Sequence, residues 1–124
     1  MANEFLNAKD SRYLRRIGGV ESIITFLEKD PWTFGSGYAK AEMIRLLRKL
    51  ELTLKQGERL RKVLLTIVDK RDRREFRHYC RLACKLDSPE LRRELTRRLQ
   101  STDEGVSRRA RWMLDYLLQH QGHS

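Results

Sequence analysis

The sequence predicts an all-α protein: a short right-handed α-solenoid of about three antiparallel helical hairpins, preceded by one N-terminal helix. Two observations carry that expectation. Apolar residues recur at helical spacing almost throughout, and no stretch shows the strict alternation of a half-buried strand. Leu60, Leu64 and Val68 recur 31 residues later as Leu91, Leu95 and Leu99, while Tyr79, Ala83 and Leu86 recur as Ala110, Leu114 and Leu117. A helix pair that repeats at a fixed period buries its apolar face against the next pair. The period loosens toward the N-terminus, where Leu50 precedes Leu86 by 36 residues.

A leading helix is expected from about Glu4 to Arg16, with Phe5, Leu6, Tyr13 and Leu14 near one side, and Gly18-Gly19 interrupts it. The second helix runs from about Val20 to Lys29 with Ile23, Ile24 and Leu27 inward. Asp30-Pro31 stops it, because proline disfavours helical geometry in the residue before it. Residues 31–37 form the longest irregular segment, with Trp32 and Phe34 among two glycines, Gly35 and Gly37. It is either a packed turn or a contact loop, and the apolar area two aromatics bring to a small core favours the packed turn. The third helix, about Tyr38 to Leu50, turns Ala39, Met43, Leu47 and Leu50 inward. Helices four and five span about Gln56 to Asp69 and Arg71 to Leu86. Asp87-Ser88-Pro89-Glu90 opens the sixth, a capping residue followed by proline in the first turn, and that helix ends near Gln100. Ser101 to Gly105 make a turn, and the last helix runs from about Val106 to Gln119. Gln121 to Ser124 are expected to fray. The hairpins are therefore 20–50, 58–86 and 90–117, within one domain of residues 1–124, a size that suits a single core.

Leu95 and Leu99, a turn carrying Asp103, and then Val106, Ala110, Leu114 and Leu117 resemble a HEAT-type repeat, and Ser107-Arg108-Arg109-Ala110 matches the opening of its second helix. The middle unit departs from the pattern, with Glu75 in the place of Val106 and Tyr79 in the place of Ala110. The first matches only in its second helix. The resemblance covers residues 20–118 and implies a stack in which the second helices line the concave side. It implies no particular activity, because HEAT-like proteins share none.

Charge points to a surface. The net charge is +10, with 27 Lys and Arg, of which nineteen are arginine. Residues 1–54 hold nine cations against seven carboxylates, whereas residues 55–124 hold eighteen against ten. Such a balance favours an acidic partner, and arginine's planar fork suits phosphate and carboxylate. Long cationic chains covering apolar flanks would give the same composition. Aligning the units on Leu50, Leu86 and Leu117 puts Arg45, Arg81 and Trp112 in one row, Lys49, Lys85 and Tyr116 in the next, and pairs Arg77 with Arg108. Arg74, Arg77, Arg81 and Lys85 make a stripe along helix five, and Trp112 points away from Ala110 and Leu114. A stripe beside an outward tryptophan suits a phosphate backbone. It equally suits an acidic protein or peptide, with Trp112 as anchor. Trp112 could instead cover the open end of the stack against the tail or a second copy in a homodimer. Glu75, Glu94 and Asp115 are placed to neutralise part of the stripe.

Catalytic chemistry is not expected. Gly35-Ser36-Gly37 is too short for a phosphate loop, and no nucleophile has an evident base. Some HEAT-like proteins are DNA glycosylases, and Asp115 beside Trp112 invites that comparison, but this chain is shorter and their motif has no counterpart in it. His120-x2-His123 lacks a third ligand, so neither a metal nor another cofactor is expected. Cys80 and Cys84 stand four apart on one helix and suit small buried thiols in a reducing compartment. No membrane span and no secretory leader is apparent, which predicts a cytoplasmic protein. The expected function is a non-catalytic binding module that works as a protein–protein adaptor through a basic concave face, with nucleic acid as the alternative partner.

Overall fold

A computed structural model describes residues 6–33 and 35–120, and those residues are all-α: seven helices and no strand. The helices are α1 (Ala8–Ile17), α2 (Val20–Lys29), α3 (Ser36–Lys49), α4 (Leu54–Lys70), α5 (Phe76–Leu86), α6 (Pro89–Arg98) and α7 (Glu104–Gln119).

Local chemistry sets most of the boundaries. Asn7 caps α1 by accepting from the Asp10 amide at 2.8 Å, so the helix starts later than Glu4; Glu4 and Phe5 lie outside the described residues. Gly18 ends α1 at φ 99°, and the Gly19 amide reaches back to the Leu14 carbonyl, a closure that needs the left-handed conformation glycine tolerates. α2 ends on Asp30, which adopts φ 51° ahead of Pro31. Thr53 and Gln56 cap α4 reciprocally, each side chain accepting the other's backbone N–H. Ser88 caps α6 with Pro89 in its first turn, and Asp103 caps α7 by accepting from Gly105 and Val106. Each such cap contributes about 1 kcal/mol.

Helix five departs from expectation. Arg71 is extended (φ −156°, ψ 163°), residues 71–73 are not helical, and α5 begins only at Phe76. Two ties pull this segment away from the helix. The Arg73 side chain turns inward to Asp30 at 2.6 Å, and Asp72 accepts from Arg108 and Arg109 at 2.8 and 2.7 Å.

Packing follows a simple order. α2 packs on α3, α4 on α5 and α6 on α7; α4 also touches α2 and α6, while α5 also touches α3 and α7. One continuous core results, with Leu60, Leu64 and Leu91, Leu95 buried in the first helices of the last two pairs and Tyr79, Ala83 and Ala110, Leu117 in the second. Val68 is buried while its counterpart Leu99 only packs against the core from the side. Arg109, itself buried, donates to the Val68 carbonyl at 2.8 Å and so satisfies the end of α4 from α7.

Candidate functional site

The expected basic face divides into a tied part and a free part. Arg45 Nη2 donates to Asp10 at 2.7 Å and to Glu42 at 2.9 Å, and Lys49 donates to the other Asp10 oxygen at 3.1 Å. Asp10 of α1 and Glu42 of α3 together balance Arg45 and Lys49. Hydrogen bonds from Arg45 and Lys49 hold the Asp10 carboxyl at about 2, well below the usual carboxylate range. Lys85 is occupied as well, donating to the Arg48 and Leu50 carbonyls at the end of α3, where a cation suits the helix dipole. Burial lowers its pKa.

The α7 side chains are similarly engaged. Arg108 binds Asp72 and lies over the Trp112 ring at 5.4 Å. Trp112 is 49 % exposed, and its ring meets Phe76 at the start of α5 at 6.0 Å. Tyr116 stacks on His120 at 4.1 Å. His123 and the rest of the tail lie outside the described residues.

Arg74, Arg77 and Arg81 differ from all of these. None makes a hydrogen bond or ion pair with any described residue. Arg74 sits in the turn before α5 rather than on the helix, so of the expected stripe only Arg77, Arg81 and Lys85 stand on α5. Beside them lies an open cleft of about 620 Å³ between the 31–37 segment, the start of α3 and residues 71–78, lined among others by Trp32, Tyr38, Arg71, Arg74 and Arg77. A second cleft of about 320 Å³ takes in Arg45, Arg48 and Arg81 and shares Tyr38, Ala41 and His78 with the first. The expected neighbours Arg45 and Arg81 therefore do meet in one cleft, while Trp112 and Tyr116 line neither.

The packed-turn expectation for residues 31–37 fails at Trp32. Trp32 is 75 % exposed and Tyr38 78 %, and the Arg71 guanidinium lies over the Trp32 ring at 4.9 Å. Phe34 is outside the described residues. Ile23, Ile24, Leu27, Met43 and Ile44 are buried without the indole, whose exposed face is covered instead by the Arg71 guanidinium. His78, half-buried between the two clefts, is held below its ordinary pKa by burial and by repulsion from Arg81, Arg77 and Arg48, and so stays neutral at neutral pH.

Beneath the first cleft lies a buried ion cluster that sequence reasoning missed. Lys40, fully buried, donates to Asp30 at 2.5 Å and reaches Glu75 at 3.5 Å. Asp30 also accepts from Arg73 at 2.6 Å and from Lys70 at 3.1 Å. Burial alone would raise the Asp30 carboxyl, but the three cationic donors outweigh it and hold it far below its usual value. The cluster is incompletely satisfied: Arg73 Nε and Nη2 and the Tyr79 hydroxyl are buried without a hydrogen-bond partner. A neutral group left so costs about 1–3 kcal/mol, and a charged one more.

The cysteines carry no reactive thiolate. Cys80 is buried, and burial pushes its thiol up to about 12; the half-buried Cys84 is also raised by burial. No helix of the described residues is long and apolar enough to cross a membrane, and no three of their His, Cys, Asp or Glu side chains converge on a metal-sized site. No protein-family model, curated protein or solved structure matches the chain.

Proposed function

We propose that this protein is a non-catalytic module that binds single-stranded nucleic acid, built as a right-handed HEAT-like stack of three hairpins, 20–50, 58–86 and 90–117. The pairing of α2, α4 and α6 on one side and α3, α5 and α7 on the other suits such a stack. One observation carries the functional proposal: Arg74, Arg77 and Arg81, without internal counterions, stand beside the exposed rings of Trp32 and Tyr38. Free arginines track a phosphate backbone, and exposed aromatic faces stack on unpaired bases irrespective of sequence. A duplex would leave those rings unused, because its bases are already stacked.

A second reading keeps the protein adaptor. Trp112, half-exposed and backed by Phe76, could anchor an acidic protein partner, with Arg108 beside it. Two free thiols, one of them deeply buried, suit a cytoplasmic setting for either function.

The test is a titration of the full chain with a labelled single strand, the matching duplex and an acidic peptide across a salt series. The strand should bind more tightly than the duplex, with log affinity falling linearly in log salt. Binding of the acidic peptide alone would replace the strand with the adaptor function, and no binding of either nucleic acid at low salt would end the proposal.

A further inference from the structure

The cleft under Trp32 and Tyr38 is built over a guanidinium that its own surroundings leave half satisfied. The Arg73 side chain is 1 % exposed and lines the cleft. Its Nη1 donates to Asp30, whereas Nε and Nη2 have no acceptor among the described residues. These two donors share one edge of the planar group and form the side-on fork that takes two oxygens of a phosphate or carboxylate. Of the carboxylates nearby Asp30 is fully engaged, while Glu75, which itself lines the cleft, faces Lys40 and Arg73 through one oxygen. Asp30 accepts from Lys40, Lys70 and Arg73, and Glu75 Oε2 stands 3.5 Å from Lys40 and 3.7 Å from Arg73 Nη1.

Charge balance favours an incoming anion. Lys40, Lys70 and Arg73 outnumber Asp30 and Glu75 by one positive charge, and Arg71, Arg74 and Arg77 on the cleft wall add to the excess. Depth selects its form. The free fork is buried rather than on the rim and closed to a molecule the size of water as the cleft stands. A ligand therefore reaches it only where the wall beside Arg73 gives way, and a terminal group needs a smaller opening than a phosphodiester flanked on both sides.

We propose that this cleft binds a phosphomonoester, either the terminal phosphate of a strand or that of a free nucleotide. Arg73 Nε and Nη2 grip the phosphate, and Trp32 or Tyr38 stacks on the attached base. The strand-end form of this site rests on the single-strand function proposed above; the free-nucleotide form does not. A buried water satisfying Arg73 and Tyr79 is the competing arrangement, and it confers no preference for phosphate.

The experiment compares the affinity of the full chain for one oligonucleotide carrying a 5′-phosphate, a 3′-phosphate or hydroxyls at both ends, and for a nucleoside monophosphate. One phosphorylated end should bind about tenfold more tightly than the hydroxyl-ended strand, the yield of a charge-assisted hydrogen-bond pair. Arg73→Lys, which keeps the charge and removes the fork, should bring the phosphorylated and hydroxyl-ended strands to equal affinity. The wild-type comparison decides even if this variant fails to fold. Equal affinity for all three strands overturns the phosphate pocket and leaves strand binding standing. Binding of the monophosphate without any strand keeps the pocket and overturns the strand function. Failure of every phosphate-bearing probe overturns both.

Discussion

The Lys40 ammonium lies 2.5 Å from the Asp30 carboxylate in a position with no solvent access; Asp30 caps the end of α2, and Lys40 stands on α3. This pair ties the end of α2 to α3, and its neighbours Arg73 and Glu75 line the cleft. Its charges are desolvated, so its attraction is largely offset by the cost of burial, but removing Lys40 takes one of three cations from buried Asp30 and leaves Glu75 only the 3.7 Å approach of Arg73. Lys40→Met should therefore destabilise the protein by about 3 kcal/mol in urea unfolding. Adding Asp30→Asn, which tolerates the left-handed backbone at this position, should recover part of that loss. A double variant less stable than Lys40→Met alone would show that Asp30 is held mainly by Lys70 and Arg73.

Acid should unfold the protein through its ion-paired carboxylates, Asp10 and Asp30 foremost, with Glu21, Glu28, Glu42, Asp72 and Glu94 also lowered by their partners. Asp10 sits at about 2 in the folded chain against 3.8 unfolded, and Asp30 is lowered further by Arg73, Lys40 and Lys70. Between those values the unfolded chain binds more protons than the folded one, so stability rises with pH there. The contribution is fully present well above 3.8 and is lost as pH falls toward 2. The urea midpoint should hold from neutral pH to roughly pH 5 and then drop steeply. Asp10→Asn should remove part of the slope, and a midpoint that stays constant down to pH 2.5 would contradict the assignment.

The helical core was legible because its cause is local. Leu60, Leu64, Leu91 and Leu95 announce their burial by spacing alone, and the structure buries all four. The ion cluster joins residues 10, 35 and 43 positions apart, which no short pattern encodes. A trace of it was visible even so. Lys40 falls four residues before Ile44 on a buried face, and Glu75 and Tyr79 replace the apolar residues that the HEAT-like pattern has at Val106 and Ala110. A charged or hydroxyl group on a core face calls for a buried partner. The start of α5 was misjudged for the same reason, since residues 71–75 have helical spacing but long-range bonds to Asp30, Arg108 and Arg109 hold them out of the helix. Among the site residues, arginines on the α5 side kept the freedom their spacing implied. Arg45 and Lys49 did not, because Asp10 arrives from a helix whose placement the repeat register does not specify.

The two thiols should differ in reactivity. Burial raises both, Cys80 to about 12, and Cys84 is the less enclosed. Since the thiolate is the attacking form, a disulfide reagent at pH 8 should modify Cys84 first and Cys80 only on a timescale set by opening of the fold. Urea should make the two equally fast. Rapid labelling of Cys80 in the native protein would mean that the packing around α5 is looser than the structure describes.

Strand binding should separate the two exposed tryptophans. Trp32 stands in the cleft with Arg71 over its ring, whereas Trp112 packs on Phe76 under Arg108 and lines neither cleft. If Trp32 stacks on a base, Trp32→Ala should weaken strand binding by roughly 1–3 kcal/mol without changing the salt slope, because stacking releases no counterion. Arg77→Ala should do the reverse, lowering the slope of log affinity against log salt by roughly 0.7 with a smaller loss at low salt. Trp112→Ala should leave both quantities near wild type. The measurement is one anisotropy titration of each variant at four salt concentrations. A large loss for Trp112→Ala together with an unaffected Trp32→Ala would move the interface to α7 and favour the acidic protein partner, whose binding should depend on Trp112 and less on salt.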